Sequence, residues 1–131
     1  MILLDTHVLV WMSSEPQRLS KRAREAIREA REKRGIAVAS ITLWELAWLA
    51  ENGRIQISAS VESFVRETVA RVILKPMTPE IAALAVRLRA AFPKDPADRL
   101  IAATARLRNL TLVTSDEKIL RYAHLQSFDT R

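Results

Sequence analysis

Four short apolar runs punctuate this chain, at residues 2–4, 36–39, 72–75 and 110–114, and between them lie stretches with helical periodicity. Each run is dominated by aliphatic and β-branched residues, the pattern of a strand buried on both faces. Strands alternating with helices imply βαβ units, a mainly parallel sheet and right-handed crossovers. An α/β fold is therefore expected, with functional groups gathered beyond the carboxyl ends of the strands.

The helices can be placed from periodicity and punctuation. Residues 8–12 begin a short helix or turn. Over residues 19–34 the apolar stripe Leu19, Ala23, Ala26, Ile27 and Ala30 opposes a charged face, and Gly35 stops the helix. Thr42 starts a helix to about residue 51, closed by Asn52-Gly53, and residues 60–70 form another. Thr78, bracketed by Pro76 and Pro79, caps a helix predicted to reach about residue 91. Residues 92–96 form a loop, 97–108 an apolar helix, and Asn109 a left-handed cap. A short helix over 115–122 and an edge strand over 125–128 complete the reading.

At 131 residues the chain fits one domain, residues 1–131, able to bury a core without staples. The 49% hydrophobic and 27% charged content excludes a disordered or fibrous class. No cysteine is present, so disulfides, thiolate zinc sites and thiol nucleophiles are all excluded. The opening Met1-Ile2-Leu3-Leu4-Asp5 lacks a basic and apolar leader, and no apolar run approaches the ~20 residues of a membrane span. A soluble, cytoplasmic protein is expected, with no membrane partner. The net charge of +6 points to an acidic partner, of which nucleic acid is the commonest.

Against that basic total, four acids share one kind of address. Asp5 sits where the first strand runs out. Glu45 follows Thr42 by three residues, Asp98 lies in the first turn of its helix, and Asp116 follows Thr114-Ser115 at a strand-to-helix junction. Each has a local explanation. Glu45 has the spacing of a capping box with Thr42. Asp95 can cap the helix that Pro96 begins, and Asp98 then complements the helix dipole. In a parallel sheet, however, these places converge on one edge, and carboxylates brought together resist ionising unless a cation neutralises them. An all-carboxylate set suits Mg²⁺ or Mn²⁺ better than Zn²⁺. Such a site fits phosphodiester cleavage, with one or two ions ionising a water and stabilising the scissile phosphate. Asp5 and Asp98 are read as direct ligands, with Glu45 and Asp116 holding a second ion, its waters or the attacking water.

The block Ile2-Leu3-Leu4-Asp5-Thr6-His7-Val8-Leu9 resembles the opening of PIN domains. The blocks Val38-Ala39-Ser40-Ile41-Thr42-Leu43-Trp44-Glu45, Asp95-Pro96-Ala97-Asp98-Arg99-Leu100-Ile101-Ala102 and Leu112-Val113-Thr114-Ser115-Asp116 resemble the blocks that follow it. More narrowly, all four are similar to the VapC-like toxins of type II toxin–antitoxin modules, from the first residues to about Leu120. The resemblance implies a three-layer α/β/α sandwich, Mg²⁺-dependent endoribonuclease activity, homodimers and an antitoxin that covers the acidic site. It places the family's four acids on Asp5, Glu45, Asp98 and Asp116. Supporting positions are Thr6, the hydroxyl of Thr114 or Ser115, and Asp95, which competes with Asp98. His7 stands where many relatives have asparagine.

Other features carry weaker readings. Trp44 and Trp48 lie one turn apart on an apolar helix, read mainly as core with a surplus left for a dimer or antitoxin groove. His7 and His124 read as packing or hydrogen-bonding residues. Arg22, Arg24, Arg28 and Arg31 fit a solvated face or an RNA track equally. A phospho-accepting module would need a lysine after a late strand, where Thr114-Ser115 stands instead. A non-catalytic RNA-binding protein with the same fold is the alternative to the enzyme.

Overall fold

The computed structural model describes residues 1–121 and the segment 127–129. Five parallel strands form one sheet in the order β3-β2-β1-β4-β5, with β1 Ile2–Leu4, β2 Ile36–Ala39, β3 Ile73–Lys75, β4 Thr111–Thr114 and β5 Ser127–Asp129. The four expected strands are present. The predicted edge strand over 125–128 pairs as Ser127–Asp129; its first residues, with Tyr122 and His124, lie outside the described residues.

Strand alternation divides the apolar side chains between two cores. Leu3, Ala37, Ala39 and Leu112 face one side, and Leu4, Ile36, Val38 and Val113 the other. The first face is covered by Phe92 together with α5 (Pro79–Arg87), α6 (Pro96–Leu107) and α7 (Glu117–Leu120). The second is covered by α1 (Thr6–Ser14), α2 (Lys21–Lys33), α3 (Ile41–Glu51) and α4 (Val61–Thr68). The result is the three-layer α/β/α sandwich that the family resemblance implied. Leu3 and Leu4 on the central strand are wholly buried, each worth about 1.5–3 kcal/mol of transfer free energy.

Helix α6 buries Ala97, Ile101, Ala102, Ala103, Thr104 and Ala105. Its small residues let it nest between the sheet and α5, where Ala103 meets Ile81 and Ala85. Gly35, Gly53 and Asn109 all take positive φ, as their positions after helix ends require. The basic face of α2 carries exposed Arg28–Glu32 and Lys33–Glu29 pairs. Among the described residues no helix is long and apolar enough to cross a membrane.

Two elements depart from expectation. Helix α1 starts at Thr6, directly after Asp5, rather than near residue 8. Helix α5 ends at Arg87 instead of continuing to about residue 91. The Arg99 guanidinium intervenes there: it donates to the carbonyls of Ala85, Leu88, Arg89, Phe92 and Pro93 at 2.9–3.3 Å. Five N–H donors meet five carbonyls, so the chain can leave the helix without stranding its last acceptors.

Candidate active site

Three helices start where a strand ends: α1 after β1, α3 after β2 and α7 after β4. Helix α6 follows a loop, yet it leads into β4 and so runs back against the strand direction. Its first turn therefore lies at the same carboxyl edge. Four helix N-termini, each with a partial positive charge, thus face the place where the acids gather.

Asp5 caps α1. Its Oδ1 accepts from the Thr6 amide at 2.7 Å, and its Oδ2 accepts from the Thr114 hydroxyl at 2.7 Å. The carboxylate is only 9% exposed. Burial pushes its pKa upward, while the Thr114 and Thr6 hydrogen bonds and the nearby His7 oppose the rise. The Thr114 hydroxyl also accepts from the Asp116 amide at 3.1 Å, and Asp116 caps α7 through the Lys118 amide. Thr114 thus ties Asp5 to the backbone of Asp116, and it is the hydroxyl that serves this edge. Ser115 makes no hydrogen bond to an acid among the described residues.

Glu45 is held differently from the capping box its spacing suggested. The α3 N-cap is Ser40, which makes no side-chain cap; its hydroxyl accepts from the Met77 amide on the far side of a crossover. Glu45 Oε1 instead accepts from the Thr6 hydroxyl at 2.6 Å, and Thr6 lies 3.0 Å from the Thr42 hydroxyl. Thr6 has one hydroxyl proton and gives it to Glu45, so Thr42 is the donor to Thr6. A relay Thr42→Thr6→Glu45 results, with Thr42 wholly buried. Spacing alone marks Thr42 only as a capping partner. What marks it is a threonine one turn before Glu45, on the same face of its helix. Burial raises the Glu45 pKa against the Thr6 bond, with Asp5 and Asp95 adding to the rise.

Asp98, half-buried in the first turn of α6, is pushed up to about 7. Burial is the largest cause, followed by the charges of Asp5, Asp95, Glu45 and Asp116. All four acids predicted from sequence therefore share one field, with Asp95 as a fifth. Asp95 itself is exposed and caps α6 through the Ala97 amide at 2.8 Å. Its oxygen is engaged as a cap, whereas Asp98 makes no hydrogen bond among the described residues, so Asp98 is the freer carboxylate of the pair. No three acids or histidines among the described residues close on one point tightly enough to hold an ion as they stand. The donor set still fits a hard divalent cation. Its oxygens are carboxylates whose mutual repulsion a cation relieves, and Mg²⁺ commonly keeps several waters and takes only one or two carboxylates directly.

The PIN-domain family model matches residues 2–125. A curated relative, Ribonuclease VapC22 of Mycobacterium tuberculosis, is 48% identical over 123 residues, covering 94% of this chain and 92% of its own length. The chain belongs to the PIN-domain family. Solved structures share the PIN-like fold over the whole chain. The VapBC2 complex of Rickettsia felis, bound to a promoter DNA fragment, aligns with a TM-score of 0.77 and 21% identity, covering 100% of both chains. The DNA-bound VapBC complex of Salmonella typhimurium aligns with a TM-score of 0.73 and 23% identity, also covering 100% of both.

Proposed function

We propose that this PIN domain, acting as one unit over residues 1–131, is a Mg²⁺-dependent endoribonuclease and the toxin of a type II toxin–antitoxin pair. The observation that carries the reading is the shared field of five acids at one sheet edge, with Asp98 raised to about 7. It is joined by 48% identity to a protein named a ribonuclease. The VapBC complexes among the structural neighbours support an antitoxin as protein partner. In this reading the antitoxin covers the acidic edge and the toxin pairs as a homodimer. An RNA substrate sets the address as the cytoplasm. The ion is Mg²⁺, with Mn²⁺ able to replace it.

Asp5 and Asp98 would hold the ion directly, with Glu45 and Asp116 binding a second ion, its waters or the attacking water. A divalent cation so held supplies a water of lowered pKa and neutralises charge developing on the scissile phosphate. The protein's own part is orientation. The Thr6 and Thr114 bonds engage both oxygens of Asp5 along defined directions. The Thr42–Thr6 relay holds Glu45 through Oε1 and leaves Oε2 without a protein partner among the described residues, able to accept a proton from water.

The test is cleavage of single-stranded RNA with Mg²⁺, with EDTA, and by Asp5→Asn and Asp98→Asn. Cleavage that needs the metal and disappears in both variants is expected. Activity that survives EDTA, or either variant at full rate, overturns the proposal. RNA binding that ignores divalent ions, with no cleavage, marks the non-catalytic alternative.

A further inference from the structure

The tryptophans of α3 are not core residues. Leu46 and Ala50 take the buried positions, while Trp44 is 60% exposed and Trp48 43%. Indoles left in water forgo a large transfer free energy. These two also stand beside the acidic edge. A cavity of about 450 Å³ is lined by His7, Trp44, Glu45, Trp48, Arg54 and Asp95, a size within the ~300–1,000 Å³ range of small-ligand sites. Its lining thus brings two of the acids and both indoles to one cavity. The Arg54 guanidinium stands 5.8 Å from the Trp48 ring centre and makes no ion pair among the described residues.

The surface continues in the same style. A second cavity, about 620 Å³, shares His7 and Arg54 with the first and reaches Trp11 and Arg18. There the Arg18 guanidinium lies 4.7 Å over the Trp11 ring, while also pairing with Glu15 at 3.3 Å. Aromatic rings interleaved with arginines thus lead away from the acidic edge. A nonspecific protein-docking face would not need guanidinium groups beside the Trp11 and Trp48 rings. Single-stranded nucleic acid has a use for both: bases stack on aromatic and guanidinium planes while phosphates meet the positive charge.

We infer that the Trp44–Trp48 cavity is a base-stacking subsite for single-stranded RNA, seating an unpaired nucleobase next to the phosphate at the acidic edge. The strand then continues past Arg54 toward Trp11 and Arg18. This rests on the ribonuclease reading and adds to it a demand that the substrate be unpaired here, because a base in a duplex is already stacked and cannot reach the indoles. Stacking accepts any base, so the subsite selects strandedness rather than sequence.

The experiment is fluorescence polarisation of a labelled single-stranded RNA of about a dozen nucleotides, in EDTA to prevent cleavage. The full chain is compared with Trp48→Ala, Trp48→Phe, Trp44→Ala and Arg54→Ala. Trp48→Ala is expected to weaken binding by about 5- to 100-fold, with Trp48→Phe recovering most of it and Arg54→Ala giving a smaller loss. All three positions are exposed, and a thermal melt verifies the fold. A matched duplex is expected to bind more weakly and to ignore the Trp48 substitution. The inference is overturned if the Trp44→Ala, Trp48→Ala double variant binds within about twofold of the unaltered chain, or if duplex binding depends on Trp48 equally. Mg²⁺-dependent cleavage with silent tryptophan variants rejects this subsite alone. Tryptophan-dependent binding with no cleavage rejects the nuclease reading and leaves the subsite standing.

Discussion

Asp98 and Arg99 are neighbours on the first turns of one helix, and their surroundings follow opposite rules. Arg99 places five N–H donors against five carbonyls, so its charge is fully met by dipoles of the protein. Asp98 is pushed up to about 7 by burial and by four surrounding acids, and no protein donor reaches it among the described residues. One cluster is complete within the chain. The other leaves its charge unmet by hydrogen-bond donors among the described residues. A protein that met the second cluster's charge internally would be more stable there and unable to take up a cation, which is the usual exchange of stability for function at such sites.

The largest effect should separate the two residues by activity and stability at once. Asp98→Asn is expected to reduce RNA cleavage at least ~10³-fold, about 4 kcal/mol of transition-state free energy. The same substitution should raise the metal-free melting temperature at pH 8, by about 2–4 °C after discounting for solvent screening. The sign follows from the raised pKa. Between about 4 and 7 the folded state holds a proton that the unfolded chain has lost, so stability falls as pH rises through this window. Asn removes that penalty, and its benefit should vanish near pH 4. A variant that melts lower than the unaltered chain at pH 8 would break the comparison.

Next in size, Arg99→Ala should cost about 3 kcal/mol and lower the melting temperature by on the order of 10 °C, read by calorimetry. Arg99→Lys should recover little, because one ammonium cannot reach five carbonyls. If lysine suffices, the charge matters and the fork does not. A smaller effect distinguishes the acids again. Saturating Mg²⁺ should raise the melting temperature by a few degrees at pH 8 and by less at pH 5, where Asp98 is protonated and competes with the ion. Equal shifts at both pH values would place the ion elsewhere. Smallest of all, Thr42→Val should slow cleavage by about 3–10-fold with a nearly unchanged melt. Its hydroxyl acts through Thr6 on Glu45.

The order of strands and helices was legible because it rests on local signals. Short β-branched runs, an Asp95-Pro96 start, and Gly35, Gly53 and Asn109 at positive φ are each readable within a few residues. The gathering of acids was legible for the same reason, since parallel strands send their carboxyl ends to one edge whatever the packing. What remained hidden depended on side chains meeting across large separations. Thr6 meets Glu45, and Thr114 meets Asp5, across most of a crossover or most of the chain. A capping box competed well for Glu45 on spacing alone, and only the placement of α1 beside α3 redirects it to Thr6. Helix α5 read as longer because its apolar pattern continues, while its actual end depends on Arg99 from the next helix. The tryptophans were ambiguous because a helix with apolar residues on all sides does not say which face is inward.

The sequence by itself therefore determined the parallel α/β architecture and a carboxylate edge built from Asp5, Glu45, Asp98 and Asp116, because secondary structure and strand direction follow from local pattern. Only the tertiary structure decided which hydroxyls orient those acids, which carbonyls Arg99 satisfies, and that Trp44 and Trp48 face outward. Those outcomes turn on burial and on distances of about 3 Å between residues far apart in the chain, and such distances exist only once the layers have packed.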